Sequence, residues 1–251
     1  MEILGWGDFM RTNKVKAKMR AGKKAFGCQL VFPSATLIEL MGYAGFDYVF
    51  LDGEHGVFTL KDIEEMCRAA DLVGLTPIAR VSNTEPSTIL QFLDRGIMGI
   101  MGPHIITKDD AEAFTKACFF APGGSRSFGG GRGNNYGVQA SGRERRTFME
   151  QVNEEILPIA LLEDAQALQN LPEILKVEHL ELFAFGPNDL AQSIGLPGEP
   201  DHPRVVEAIR QATLQIRAAG KKLKSDVTAE ARTNDLFLEG AKEFLRETER
   251  R

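Results

Sequence analysis

Short apolar runs alternate with segments of helical period from residue 27 almost to the end. Residues 27–32 (GCQLVF), 48–51, 77–81, 99–103, 156–162 and 182–185 read as strands. Residues 34–44, 60–73, 86–95, 108–119, 143–153, 165–175 and 204–219 carry the helical spacing between and after them. Residues 222–227 and 243–246 are the weaker candidates for strands seven and eight. Strand–helix alternation is the pattern of βαβ units on a parallel sheet, and unbroken apolar runs suit strands buried on both faces. Eight such units favour a closed barrel over an open doubly wound sheet, and 251 residues match the length of about 250 that such a barrel needs. The expected fold class is therefore α/β, a (β/α)8 TIM barrel with its eighth unit short or incomplete, because residues 240–251 run into a charged tail without room for a full helix. No proline- or serine-rich linker divides the chain, so residues 1–251 are expected to form one domain.

Charge and cysteine content narrow the function. With 35 acidic against 30 basic residues the formal net charge is −5, which argues against a nucleic-acid surface. The N-terminus lacks the apolar core of a signal peptide, and no apolar run approaches the roughly 18 residues of a membrane span. Cys28, Cys67 and Cys118 are widely spaced with no CxxC pair, so neither a disulfide framework nor a zinc site is expected, and a cytoplasmic protein is the simplest reading. One basic run stands out: residues 11–24 hold Arg11, Lys14, Lys16, Lys18, Arg20, Lys23 and Lys24 and no acid. No aromatic residue interleaves with them, and Val15 and Met19 lie at i, i+4, so the run reads as a surface helix with its apolar stripe on the body.

Barrel enzymes build their sites at the C-terminal ends of the strands. At those positions stand Asp52-Gly53-Glu54-His55, Arg80, Glu163-Asp164 and Gly186-Pro187-Asn188-Asp189. Each has a plain alternative. Asp52 can cap a turn, His55 can be a satisfied loop histidine, Arg80 can pair with a neighbouring acid, and Glu163 or Asp189 can cap a helix. Their joint placement points to a site. Two carboxylates without cysteine or a nearby histidine suit a hard octahedral cation, Mg²⁺ or Mn²⁺, with positions left for water and substrate oxygens. The glycine-rich stretch 123–137 contains no GxxxxGK[ST] and follows no strand directly, so it is a weak phosphate cradle.

Leu51-Asp52-Gly53-Glu54-His55, Ile78-Ala79-Arg80, Leu93-Asp94-Arg95-Gly96, the loop Ala121-Pro122-Gly123-Gly124-Ser125-Arg126, Leu162-Glu163 and Phe185-Gly186-Pro187-Asn188-Asp189-Leu190 follow one another in an order that resembles the HpcH/HpaI aldolase family. The resemblance runs from about residue 14 to about residue 240. It implies a metal-dependent class II aldolase that joins pyruvate, as enolate donor, to an aldehyde. The substrates would be 4-hydroxy-2-oxo acids of the 4-hydroxy-2-oxoheptanedioate or 2-keto-3-deoxy sugar acid kind. Glu163 and Asp189 would hold the divalent ion (Mg²⁺ or Mn²⁺, with Co²⁺ a third candidate), Arg80 would stabilise the enolate, and the Asp52–His55 pair would manage the proton. Asp94 would support the site, and Gly186, Pro187 and Asn188 would line the substrate position. The expected partners are thus a small 2-keto acid and an aldehyde, with no nucleic acid and no membrane.

The chain departs from the family pattern at three places. Leu161 stands where many members have a glutamine, and His104 where they usually have an apolar residue. Members also end with a helix that packs on a neighbouring subunit; this C-terminus leaves no room for one, so a homo-oligomer is expected without carrying over the family's hexamer. Two other readings stay open: sibling enolate chemistry (oxaloacetate decarboxylation, citrate-synthase-like or cycloaddition-type carbon–carbon bond formation) and a catalytically idle homologue.

Overall fold

A computed structural model describes residues 11–138 and 142–249. Eight strands form one all-parallel sheet: β1 Ala25–Leu30, β2 Tyr48–Asp52, β3 Thr76–Arg80, β4 Gly99–Gly102, β5 Leu157–Leu162, β6 Leu182–Phe185, β7 Lys222–Leu223 and β8 Thr228–Arg232. Their spatial order is 7-6-5-4-3-2-1-8, so the sheet curls round in sequence order and β8 lies against β1. This is the expected (β/α)8 architecture, with one seam: among the described residues no ladder joins β7 to β8.

The helices between strands are α2 Ala35–Ala44, α3 Leu60–Leu72, α4 Pro86–Arg95, α5 Lys108–Cys118, α6 Arg143–Glu155, the broken pair α7 Ala165–Gln169 and α8 Leu171–Ile174, then α9 Pro187–Ser193 and α10 Pro203–Ala218. Local chemistry sets their starts. Thr59 and Thr107 open α3 and α5 with capping boxes closed by Asp62 and Asp110. Gly45 and Gly96 end α2 and α4 with the left-handed backbone that glycine adopts freely.

Period-2 alternation along each strand separates two cores. Val49 and Leu51 of β2, Ala79 of β3 and Ala160 and Leu162 of β5 face outward, into the cluster under the helices. Tyr48, Phe50, Ile78, Met101, Leu157, Ile159, Leu161 and Leu182 face inward and fill the barrel. Gly27 on β1 is required there, because a Cβ at that position would sit 2.1 Å from the Tyr48 ring. Below them, the basic segment forms α1, Lys14–Arg20, whose buried Val15 and Met19 join the barrel interior as expected. Three of its four cations are tied down: Lys16 Nζ donates to the Ile156 carbonyl (2.9 Å), Lys18 pairs with Asp47 (2.6 Å) and Arg20 reaches the Glu154 carbonyl (3.3 Å). The expected single domain began at residue 1, and residues 1–10 lie outside the described residues.

The C-terminal units need correction. The strand expected at 222–227 is confined to Lys222–Leu223, and the single turn α11, Lys224–Val227, leads straight into β8. The strand expected at 243–246 belongs instead to α12, Thr233–Glu249. The short unit is thus the seventh, and a full eighth helix is present. The sequence TAEAR of β8 offers no apolar run; it is a strand because its main chain pairs with five residues of β1.

Candidate active site

The alternation that fills the barrel also aims its polar groups. On β2 the inward series Tyr48, Phe50 continues to Asp52; on β3 Thr76, Ile78 continues to Arg80; on β5 Leu157, Ile159, Leu161 continues just past the strand to Glu163. Asp52 and Arg80 are register partners on adjacent strands, which places their side chains together. A cavity of about 790 Å³ opens at this end, lined by Asp52, His55, Arg80, Glu163, Asn188 and Asp189, with Gly186 and Pro187 on the same wall. One cavity therefore brings together every site residue expected from the sequence except Asp94.

Asp52, 2% exposed, is saturated. It accepts from Arg80 Nε (3.0 Å) and Nη2 (2.6 Å), from Gln29 Nε2 (3.1 Å), and from the main-chain N–H groups of Glu54 (3.3 Å) and His55 (3.2 Å). Burial opposes its charge, but the Arg80 hydrogen bonds and the two backbone donors outweigh this and hold its carboxyl below the ordinary range. Burial likewise works against the Arg80 guanidinium, and Asp52, Glu54 and Glu163 outweigh it, leaving that group more firmly protonated than usual. Glu54 Oε2 forms a second ion pair with Arg80 Nη1 at 3.0 Å. The arginine is thus gripped on two sides. The Asp52–His55 pair is joined through the His55 main chain, and the imidazole makes no hydrogen bond among the described residues.

Glu163 is buried, and its Oε1 accepts the His104 main-chain N–H at 3.0 Å. Burial pushes its carboxyl up; His104 works against this, while Glu54 and Asp189 add to it. A buried carboxylate disfavoured by burial and by a neighbouring acid is the kind of group that a cation can stabilise. Gly186 makes room for it, since a Cβ there would lie 2.5 Å from Glu163 Oε2. No group of three or more His, Cys, Asp or Glu able to hold a metal occurs among the described residues. Glu163 and Asp189 both line the cavity, and a pair of hard oxygen donors of this kind is chemically suited to Mg²⁺ or Mn²⁺.

Asp94 lies elsewhere. It is in the last turn of α4, next to the start of β4, at the opposite end of the barrel. There it accepts from Arg126 Nη2 (3.1 Å) and Asn134 Nδ2 (3.0 Å), pinning the glycine-rich segment. Two contributors were not singled out in the sequence. Gln29 was detectable as the polar residue in the inward series Ala25, Gly27 of β1, whereas nothing in the spacing marked Glu54 as the second partner of Arg80.

Comparison with known proteins agrees with the geometry. The family model described as HpcH/HpaI aldolase/citrate lyase matches residues 26–247. The chain belongs to this family. A 4-hydroxy-2-oxovalerate aldolase of Rhodococcus jostii (strain RHA1) is 33% identical over 213 residues, covering 83% of this chain and 79% of that protein. A 4-hydroxy-2-oxo-heptane-1,7-dioate aldolase of Shigella sonnei (strain Ss046) is 32% identical over 211 residues, with 83% and 78% covered. Among solved structures, an HpcH/HpaI aldolase/citrate lyase family protein from Burkholderia cenocepacia J2315 superposes with a TM-score of 0.84 at 25% identity, covering 95% of this chain and 100% of that one. Relatives named as aldolases put this HpcH/HpaI chain among the carbon–carbon lyases.

Proposed function

We propose that this HpcH/HpaI chain is a class II aldolase that forms or cleaves a carbon–carbon bond between pyruvate and an aldehyde, with 4-hydroxy-2-oxo acids as its substrate class. The observation that carries this reading is the meeting, in one cavity, of a doubly anchored arginine with a pair of mutually repelling carboxylates. Glu163 and Asp189 would hold Mg²⁺ or Mn²⁺, with Co²⁺ a third candidate. When bound, the ion supplies Lewis-acid polarisation of the keto acid's carbonyl.

The chain's own residues do the rest. A methyl group beside a ketone gives up its proton only if the charge arriving on oxygen is stabilised. Arg80, its side chain 14% exposed and fixed by Asp52 and Glu54, offers a cation at the cavity wall that need not reorganise as that charge develops. His55 lines the same cavity with its ring uncommitted, which suits it to take the methyl proton and return one to the product. Asp52 serves this indirectly, by fixing the His55 main chain and the Arg80 fork. Gly186, Pro187 and Asn188 would flank the keto acid. Leu161 puts an apolar face on the cavity wall where many family members have an amide. Work in the cytoplasm is supported by three buried free thiols. A homo-oligomer is supported by α12, which leaves Phe237 (72%) and Phe244 (67%) exposed.

The test is exchange of pyruvate's methyl protons in D₂O, followed by NMR, with Mg²⁺ and then with EDTA. Exchange that EDTA abolishes, and that Glu163→Gln lacks, is expected. A folded sample that gives no exchange with Mg²⁺ or Mn²⁺ would overturn the pyruvate reading and direct the same assay to oxaloacetate.

A further inference from the structure

The His104 side chain has been given no part so far, yet it touches both halves of the site. β4 ends at Gly102, and the chain then turns through His104 with φ at 52°, the left-handed region that side-chain-bearing residues seldom occupy. The turn brings two nitrogens of one residue to a single oxygen, the main-chain one as a hydrogen-bond donor and the ring one as a close polar contact. The His104 main-chain N–H is 3.0 Å from Glu163 Oε1, and its ring Nδ1 is 3.3 Å from that same atom. Across the ring, Nε2 faces Glu54 Oε1 at 3.9 Å, and the other Glu54 oxygen holds Arg80. A continuous line Arg80–Glu54–His104–Glu163 thus joins the arginine to the buried carboxylate. With both nitrogens at Oε1, the second oxygen, Oε2, is left on the side of Gly186.

We propose that His104 is a positioning residue for the cation: it fixes the Glu163 carboxylate by Oε1, keeps Oε2 available as a ligand, and so sets how tightly the divalent ion is held. The proposal rests on the reading of Glu163 and Asp189 as the ion's ligands. Groups that hydrogen-bond a metal-binding carboxylate orient it, and losing one typically weakens metal affinity about 10- to 100-fold. A histidine that merely occupies an exposed turn has no such effect, and the 63% exposure of its side chain makes that the competing explanation.

Mn²⁺ binding, read from the EPR signal of the free ion, separates the two. His104→Gly retains the left-handed backbone and the main-chain N–H while removing the ring, so the fold is kept and only the ring contact with Glu163 is lost. The expected result is a Kd for Mn²⁺ about tenfold weaker than wild type, at the lower end of that range because the backbone donor remains. His104→Gln returns a side-chain N–H and is expected to recover most of the loss. A His104→Gly protein that binds Mn²⁺ as well as or better than wild type, while Glu163→Gln abolishes binding, overturns the positioning role and leaves the cation site standing. A shifted Tm with an unchanged Kd does the same. If wild type binds no Mn²⁺, or Glu163→Gln binds it unchanged, the reading of the cation site fails and this proposal falls with it.

Discussion

Gly186→Ala tests the closest approach in the site. The Gly186 backbone, at φ −102 and ψ 86, is open to any residue, so the substitution carries no conformational strain and its effect is purely steric. The new methyl would lie 2.5 Å from Glu163 Oε2 and 2.9 Å from Glu163 Cβ, where carbon atoms normally rest about 3.5–4.0 Å apart. The carboxylate can swing aside. Glu163 Cβ cannot follow easily, because Leu162 next to it is held in register with Phe185. Relieving the clash therefore spreads β5 from β6 or turns Glu163 away from His104. Overpacking of this kind costs about 1–3 kcal/mol. At an m-value of about 2 kcal/mol per M, a 2 kcal/mol loss lowers the urea midpoint by roughly 1 M. The more telling readout is the cation. An ion present at 100 times its Kd stabilises a fold by about 2.7 kcal/mol, an increment wild type should show on addition of Mn²⁺ and Gly186→Ala should lack. A variant that keeps both the metal-free midpoint and the Mn²⁺ increment would refute the claim that Gly186 is there to make room for Glu163.

Four further outcomes follow from the same geometry. Glu163→Gln removes a charge that burial and its acidic neighbours disfavour; the penalty on that charge appears as pH rises through about 4.5 towards the raised folded value, so in EDTA at pH 7.5 the variant should unfold at higher urea than wild type. A lower midpoint would contradict this. Asp52 has the opposite sign: its carboxyl is depressed, so its contribution is present above the unfolded value near 3.8 and lost as pH falls through the lower folded one. Asp52→Asn should cost about 3 kcal/mol at pH 7 and flatten the loss of stability below about pH 4, both measurable by denaturant titration. Arg80→Lys loses the two-point grip on Asp52 and should slow methyl exchange about 10²- to 10³-fold with the Kd for Mn²⁺ unchanged; a parallel loss of Mn²⁺ binding would mean that Arg80 acts on the ion site instead. Asp94→Ala strands the Arg126 side chain, 1% exposed, and should lower stability by about 3–5 kcal/mol in urea unfolding.

Much of the site was legible because a strand has a period of two. Once residues 48–51 and 156–162 are recognised as barrel strands, Asp52 and Glu163 must project inward at their C-terminal ends, and Arg80 follows by the same rule. The failures have equally local causes. β8 is a strand by virtue of its hydrogen bonds to β1, and hydrophobic patterning carries no record of a partner 200 residues away. Residues 243–246 contain the Phe244-Leu245 pair that suggests a strand, but they stand within α12, where both side chains are exposed. Asp94 was carried into the site by its motif alone; standing at the end of a helix rather than of a strand, it had no geometric claim to the catalytic end. His104 was visible as an unusual residue, but its contact with Glu163 depends on a left-handed turn that nothing in PHIIT predicts.

The two ends of the barrel distribute their local irregularities very differently. At the N-terminal end, the most conspicuous sequence feature, a cationic run without an acid, hydrogen-bonds carbonyl oxygens through Lys16 and Arg20 and pairs with acids through Arg11–Asp71 and Lys18–Asp47, while its apolar stripe plugs the interior. At the C-terminal end three departures from good local structure converge on one carboxylate: Glu163 buried beside like charges, His104 bent into the left-handed region, and Gly186 reduced to a hydrogen where a methyl would collide. The buried charge and the left-handed histidine are both unfavourable for a chain that needs only to fold. Their coincidence around a single side chain is what the proposed divalent-ion site needs: a carboxylate whose charge burial and acidic neighbours disfavour, and space left beside it. A catalytically idle barrel has no physical reason to keep that combination.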